Sequence, residues 1–190
     1  MLKIGVLDLQ GSVSEHINML EKLDNVCPMR VKYPDEIKDI DGLIVPGGES
    51  TAIGKLLVDF KIKDILIDRI HNGMPIWGTC AGMILLANKI DMEETTHLKV
   101  MNITVRRNAY GRQLDSFTTE EVIPEISSTK IPLVFIRAPF ILDIGDTVKP
   151  LCIVNNNIVA ARQDNILVTS FHPELTDDSS VHKYFIEMIN

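Results

Sequence analysis

The sequence predicts a three-layer α/β fold, a doubly wound and mostly parallel sheet with helices on both faces and an antiparallel extension. Three observations carry that expectation. In the first half, short apolar runs alternate with helix-length segments, the pattern of parallel strands joined by crossover helices. Several of these runs, such as Ile4 to Leu9, are too continuously apolar to have a solvent-facing side. After Asn88 the texture becomes β-rich and tight turns appear, which suits antiparallel pairing. A chain of 190 residues fits a single domain, taken as residues 1–190. At that length a chain buries about 70% of the surface its unfolded form exposes.

Taken in order, Ile4 to Leu9 reads as a buried strand. Ser12, followed three residues later by Glu15, suggests a capping box for a helix to about Lys22. Val26 to Lys32 is a second strand, and Pro34 to Asp39 a loop with a helical turn. Leu43-Ile44-Val45 is a strand ending in Pro46-Gly47-Gly48-Glu49-Ser50-Thr51. Helices are expected from about Thr51 to Phe60 and from Lys63 to His71. Asn72-Gly73 stops the second, and Pro75 opens the next strand. In the second half Val100 to Arg107, Gln113 to Ile123, Leu133 to Ile136, Thr147 to Val154, Ile158 to Arg162 and Ile166 to Phe171 read as strands. Asn108 to Arg112 is a turn region, and Asn155-Asn156-Asn157 is a hairpin turn. A helix from about Asp178 to Ile189 closes the chain, its first turn acidic and Ser-rich.

Composition narrows the function classes. Net charge is −7 and no Lys/Arg run is long enough for a nucleic-acid footprint, so no nucleic-acid partner is expected. No apolar run reaches the roughly 18 residues of a membrane span, so no membrane partner is expected either. Three cysteines without metal-type spacing, and a first segment that reads as a strand rather than a leader, point to a reducing cytoplasm.

The chemistry centres on Pro75-Ile76-Trp77-Gly78-Thr79-Cys80-Ala81-Gly82, followed by the apolar helical run Met83 to Ala87. A strand running into Gly-x-Cys-x-Gly and then a helix is a nucleophile elbow with Cys in place of Ser. Gly78 and Gly82 suit positions where a side chain would strike neighbouring backbone. The helix N-terminus favours a thiolate at Cys80, and the N–H of Ala81 can donate to an oxyanion. A bare Gly-x-Cys-x-Gly reads equally as a buried Cys in a glycine turn, so the rest of the chain must supply a base.

Phe171-His172-Pro173-Glu174, directly after the last apolar strand, supplies one. An imidazole near neutrality can hold the thiolate and then protonate a leaving amine. A carboxylate two residues on points the same way along extended chain and can fix the ring's tautomer. Alone the tripeptide is also a solvated turn. Pro46-Gly47-Gly48-Glu49-Ser50 ends another parallel strand, where ligands bind in open α/β sheets, and its paired glycines let N–H groups face an anion. A phosphate loop is the competing reading, but no Gly-x-Gly-x-x-Gly or Gly-Lys-Ser/Thr signature is present. Arg107 and Arg137 stand near apparent strand ends and can fork onto a carboxylate; each alone reads rather as surface charge.

Gly-Thr-Cys-Ala-Gly at 78–82 and His-Pro-Glu at 172–174 resemble the triad-type, class I glutamine amidotransferases. Longer strings narrow the resemblance. They are Leu9-Gln10-Gly11, Pro46 to Thr51, Arg107-Asn108-Ala109-Tyr110-Gly111-Arg112-Gln113, Asp115-Ser116-Phe117, Phe135-Ile136-Arg137-Ala138-Pro139 and Phe171 to Thr176. Together they are similar to the glutaminase subunits of two-protein pyridoxal 5′-phosphate synthases, from Ile4 to the C-terminal helix and in the same order. The Arg107–Gln113 string is the most specific of them. Residues 91–98 and 120–131 match no motif, and Arg106 receives no site role.

That resemblance implies a flavodoxin-like fold and the hydrolysis of L-glutamine to L-glutamate and ammonia. Cys80 is then the nucleophile, His172 the base and acid, and Glu174 the orienting carboxylate. Gly48, Glu49 and Ser50 bind glutamine, with Arg107, Ile136 and Arg137 completing the pocket. Gly48 and Ala81 supply the oxyanion hole. It also implies a barrel-shaped synthase subunit that takes up the ammonia, and a glutaminase poorly active until docked. The chemistry requires no cofactor and no metal.

Three other readings compete. The glutaminase subunit of another synthase, such as that for imidazole glycerol phosphate, shares the triad, but the Arg107–Gln113 string speaks against it. Cys-elbow redox sensors, chaperones and peptidases lack a His-Pro-Glu at the last strand. A non-enzymatic amino-acid sensor would not need a complete triad. Cys27 and Cys152 lie in apolar strands and read as core residues, as does Trp77. His16, His71, His97 and His182 have no Cys or carboxylate arranged around them in sequence and read as surface or capping groups.

Overall fold

The computed structural model describes residues 1–107 and 116–189. The turn expected over Asn108 to Arg112, and the residues Gln113 to Asp115 that were to open the following strand, lie outside the described residues.

The first half alternates as the sequence implies. It contains β1 (Leu2–Leu7), α1 (Val13–Leu20), β2 (Val26–Val31), the short α2 (Pro34–Ile37), β3 (Gly42–Val45), α3 (Ser50–Asp59), α4 (Lys63–His71), β4 (Ile76–Thr79) and α5 (Ala81–Leu86). Then come β5 (Ala87–Ile90), β6 (Met101–Arg106), β7 (Ser116–Ile123), β8 (Ser127–Ile136), β9 (Phe140–Ile144), β10 (Lys149–Val154), β11 (Asn157–Gln163), β12 (Ile166–Thr169) and α6 (Ser180–Glu187).

The main sheet runs β2-β1-β3-β4-β12-β11-β9-β6-β5, with β10 beside β11. Strands β2, β1, β3, β4 and β12 are mutually parallel. From β12 the sheet continues antiparallel through β11, β9 and β6. The fold is thus a mostly parallel mixed sheet with an antiparallel extension. Strands β7 and β8 form a separate two-stranded ribbon. In the hairpin joining β10 and β11, Asn155 and Asn156 have φ of 50° and 62°, the left-handed pair that a tight two-residue turn requires.

Period-2 alternation sends side chains of the central strands to opposite faces. Leu43, Val45, Ile76, Ile166 and Val168 join the core under α3, α4 and α5. Ile4, Val6, Ile44, Trp77 and Leu167 join the other, with Val13 and Leu20 of α1, Phe185 of α6 and Leu133 and Phe135 of β8. Two buried faces explain why these strands show no polar alternation.

Three differences from the sequence reading have physical causes. Strand β5 follows α5 without a break, because an unbroken apolar run carries no punctuation between helix and strand; Ala87 pairs with Met101 and Ile90 with Val105. Strand β8 begins six residues earlier than expected, since Ser127 to Lys130 are solvent-facing and carry no apolar period. Strand β9 is short and its exposed second half includes Asp143, so no strand signal stands out.

The topology places the site. From β1 the chain steps out to β2 and returns across β1 to β3, so a crevice opens at the carboxyl ends of β1 and β3. The segments leaving β1, β3, β4 and β12 all emerge beside one another there. They carry Gln10 to Ser12, Pro46 to Ser50, Cys80 and Phe171 to Glu174 respectively.

Candidate active site

Cys80 sits between β4 and α5 with φ 48° and ψ −103°, a left-handed conformation that a non-glycine residue holds only under structural constraint. Backbone contact supplies the constraint. A Cβ on Gly78 would lie 2.5 Å from the Gly82 carbonyl carbon, and a Cβ on Gly82 would strike the Val45 carbonyl oxygen. The elbow therefore packs backbone to backbone against β3. The Cys80 N–H donates to the Thr169 carbonyl at 2.8 Å, tying the elbow to β12.

His172 arrives from β12. Its N–H donates to the Val134 carbonyl of β8 at 2.8 Å, so the ribbon strand fixes the height at which the ring stands. On one side the ring faces the Cys80 side chain, close enough for the sulfur to act on its charge. On the other, Nδ1 lies 2.7 Å from Glu174 Oε1. The intervening chain is not extended, as the His-x-Glu spacing suggested. Pro173 to Leu175 form a 3-10 turn, and the turn folds the carboxylate back onto the ring. Pro173 fits there because a first helical position needs no N–H.

Glu174 is 5% exposed and carries three neighbours. Besides His172, Oε1 accepts from Ser12 Oγ at 2.7 Å, and Oε2 faces His16 Nε2 at 3.5 Å. Burial alone would push its carboxyl up. The His16 ring, the hydrogen bond and charge of His172 and the Ser12 hydroxyl outweigh it and bring it down to about 2. His16 is itself held neutral by burial, so at neutral pH it acts on Glu174 as an N–H dipole rather than as a charge. Burial also opposes the charged form of His172, but the hydrogen bonds and negative charge of Cys80 and Glu174 raise it to about 10. The imidazole is therefore cationic at neutral pH when the sulfur beside it is anionic.

These groups open onto a cavity of about 390 Å³. Its wall brings together the residues that the sequence singled out as substrate contacts: Gly48, Glu49, Ser50, Arg107, Ile136 and Arg137, with Cys80, Ala81 and His172. The Gly47 carbonyl accepts from the Ser12 N–H at 3.0 Å. In a trans peptide the N–H of Gly48 then points away from Ser12. The His172 ring packs directly over Gly47, where any Cβ would collide with it. Arg107 donates from Nη2 to Glu49 Oε1 at 2.9 Å and from Nη1 to Glu93 Oε1 at 3.2 Å, so its guanidinium is held over the cavity. The buried Ser50 Oγ has no protein partner among the described residues. Arg137 has φ 43°, a second strained residue at the rim. Arg106 turns away and pairs with Asp91 at 2.7 Å.

Sequence reasoning missed four contributors. Gln10 accepts the Glu49 N–H at 2.7 Å and so fixes the loop after β3. Ser12 does not cap α1, as the Ser12/Glu15 spacing suggested: its side chain makes no capping bond and its hydroxyl goes to Glu174 instead. His16 and His182 are fully buried rather than on the surface. The available signal was helical period, since both lie on the apolar faces of their helices. Cys152 is buried, Cys27 is half-buried, and all three cysteines are free.

Residues 6–190 match the model of the SNO glutamine amidotransferase family. The chain is 60% identical over 189 residues to the pyridoxal 5′-phosphate synthase subunit PdxT of Ruminiclostridium cellulolyticum, covering all of both chains. It is 58% identical over 187 residues to the subunit of that name from Clostridium botulinum, covering 98% of this chain and 97% of the relative. A crystal structure of a glutamine amidotransferase superposes with a TM-score of 0.92 at 39% identity, covering 98% of each chain. PurLQS from Thermotoga maritima superposes with a TM-score of 0.68 at 16% identity over 100% of this chain and 99% of that one, a likeness of fold alone.

Proposed function

The chain belongs to the SNO glutamine amidotransferase family, and from that premise we propose that residues 1–190 act as one glutaminase domain whose reacting groups are Cys80, His172 and Glu174. It is the glutaminase subunit of a pyridoxal 5′-phosphate synthase, hydrolysing L-glutamine to L-glutamate and ammonia and working with a synthase subunit. The observation that carries the assignment of roles is that Cys80 and His172 line one cavity side by side, with the Glu174 carboxylate 2.7 Å behind the His172 ring.

The Cys80 sulfur attacks the side-chain amide carbon of glutamine. The negative charge moves to the amide oxygen, which accepts from the N–H groups of Ala81 and Gly48; one such donor lowers the barrier by about 3–4 kcal/mol. His172 gives its proton to the departing nitrogen, and ammonia leaves as the tetrahedral centre collapses to a thioester. The now neutral ring takes a proton from water, hydroxide attacks the thioester, and the thiolate is expelled beside the imidazolium while the new carboxyl gives its proton to solvent and leaves as glutamate. Glu174 stays ionised throughout and holds Nδ1–H.

Arg107 takes the α-carboxylate of glutamine and Glu49 its α-ammonium group, which fixes the amide over Cys80. Ser50, Ile136 and Arg137 close the pocket around the chain of the substrate. Arg107→Ala is expected to raise KM by about 10- to 100-fold, the range of a lost hydrogen bond to a charged group, with a smaller change in kcat. Steady-state glutamate release against glutamine concentration measures it, and an unchanged KM removes Arg107 from the substrate.

Ammonia passes to a barrel-shaped synthase subunit without release to solvent, and the glutaminase is poorly active until the two dock. The exposed Leu175 at the cavity mouth and Ile136 beside it supply apolar surface for that contact. A cytoplasmic location suits the three free cysteines, and no helix among the described residues is long and apolar enough to cross a membrane. The test is to mix the chain with the synthase subunit of the same organism and follow glutamate. The rate rises on mixing if the reading is right; no glutamate with either subunit alone or with both contradicts it.

A further inference from the structure

Beneath the triad lies a buried pair of histidines that the mechanism above does not use. His16 of α1 and His182 of α6 are both fully buried, with His16 Nδ1 3.0 Å from His182 Nε2. The pair packs edge-on against Trp77, with ring centroids 5.4 Å and 4.9 Å away. At its other end His16 Nε2 lies 3.3 Å from Thr79 Oγ1 and 3.5 Å from Glu174 Oε2. Among the described residues, no hydrogen bond of ordinary length reaches two buried polar atoms of this cluster: Glu174 Oε2, whose nearest polar neighbour is His16 Nε2 at 3.5 Å, and His182 Nδ1.

One arrangement of protons fits these facts. A carboxylate only accepts, so the His16 nitrogen facing it must carry hydrogen. With His16 neutral, Nδ1 is then bare and must accept, so His182 Nε2 carries hydrogen and donates to it. His182 Nδ1 is left bare, an unpaired acceptor, which a protein interior tolerates better than an unpaired donor. A cationic His16 would reverse the middle link. It would leave His182 with a buried N–H and nothing to receive it.

We propose that His16 and His182 are positioning residues for Glu174, forming one directed chain of N–H groups from α6 through α1 to the carboxylate that orients His172. The chain rests on the reading of Cys80, His172 and Glu174 as the reacting groups. Its work is to hold the second carboxylate oxygen, so that Oε1 stays aimed at Nδ1 while His172 gains and loses a proton. Burial supports it by keeping both rings neutral, pushing His182 down to about 3 and His16 below its ordinary value. The charged groups acting on the pair are Glu174 and His172 after β12, Glu15 of α1, and Lys22 just beyond the end of α1.

Imidazole nitrogen–proton correlation spectra of the wild-type chain between pH 5 and 8 read the tautomers directly. Both buried rings are expected as neutral Nε2–H forms that do not titrate. A protonated His16, or an Nδ1–H tautomer at either ring, overturns the chain. Glutaminase assays with the synthase subunit supply the second arm. His16→Leu is expected to lower kcat about tenfold and move the acid limb of the rate profile up by about one pH unit, with KM unchanged. His16→Gln keeps an N–H and recovers most of the loss. Equal rates and profiles for both variants and wild type overturn the proposal. If the wild-type chain itself releases no glutamate, the reading of the triad has failed instead, and the tautomer spectra still judge the buried pair.

Discussion

Cys80→Ala is expected to abolish glutamate release, a loss of about a million-fold in kcat, with the fold retained. The size follows from the way the three reacting groups work as one: removing the nucleophile leaves only the polarising N–H groups and the binding of substrate. The fold survives because alanine keeps the strained backbone at φ 48°, which Gly78, Gly82 and Val45 impose whatever side chain stands there. The side chain removed is small, and its contact with the Ile136 carbonyl is long at 3.9 Å. Glutamate assays with the synthase subunit, alongside thermal unfolding, separate the two effects. Turnover within tenfold of wild type takes the sulfur out of the mechanism.

Glu174→Gln should lower kcat by about a thousand- to ten-thousand-fold while leaving KM nearly unchanged. The amide fills the same space but can no longer anchor the tautomer that His172 needs, nor stabilise the imidazolium. Binding is spared because Glu174 stands behind the ring, away from the cavity wall formed by Glu49, Ser50 and Arg107. The substitution also has a signature in stability. The folded Glu174 carboxyl sits at about 2 against an ordinary 4.5, so its contribution is present above about pH 4.5 and lost as pH falls toward 2. His172 sits at about 10 against an ordinary 6.5, so its contribution is full below about pH 6.5 and lost as pH rises through 10. The gap in melting temperature between wild type and variant should therefore be widest between pH 4.5 and 6.5 and narrow on either side. A defect confined to KM, or a gap constant with pH, contradicts the orienting role.

The sequence revealed Cys80, His172 and Glu174 because each sits at a strand end marked by its own local chemistry. Glycines flank the cysteine, and a proline separates the histidine from the carboxylate. Gly48, Glu49 and Ser50 were legible as residues at a strand end for the same reason, and they line the cavity beside Cys80. Ile136 came only through resemblance, since a half-exposed strand residue carries no chemical mark. Ser12, His16 and His182 were not legible, because what they do depends on partners more than 160 residues away. Ser12 and Glu15 form a plausible capping pair on local spacing alone, yet a buried carboxylate from the far end of the chain outbids the helix for that hydroxyl. The two histidines look like isolated polar residues on amphipathic helices until α1 and α6 pack against the same face of β4. Likewise the polar half of β8 has no pattern of its own and is a strand because β7 runs alongside it, with Ile123 opposite Ser127.

The claim on which all of this rests is that Cys80 alone reacts with the side-chain carbonyl of glutamine. A diazo-ketone analogue of L-glutamine, which alkylates an attacking thiolate and loses nitrogen, tests it most directly when followed by peptide mass spectrometry. One adduct on the Cys80 peptide is predicted, slowed by added L-glutamine and absent in Cys80→Ala. Labelling at Cys27 or Cys152, or labelling of Cys80 that glutamine does not slow, contradicts the account.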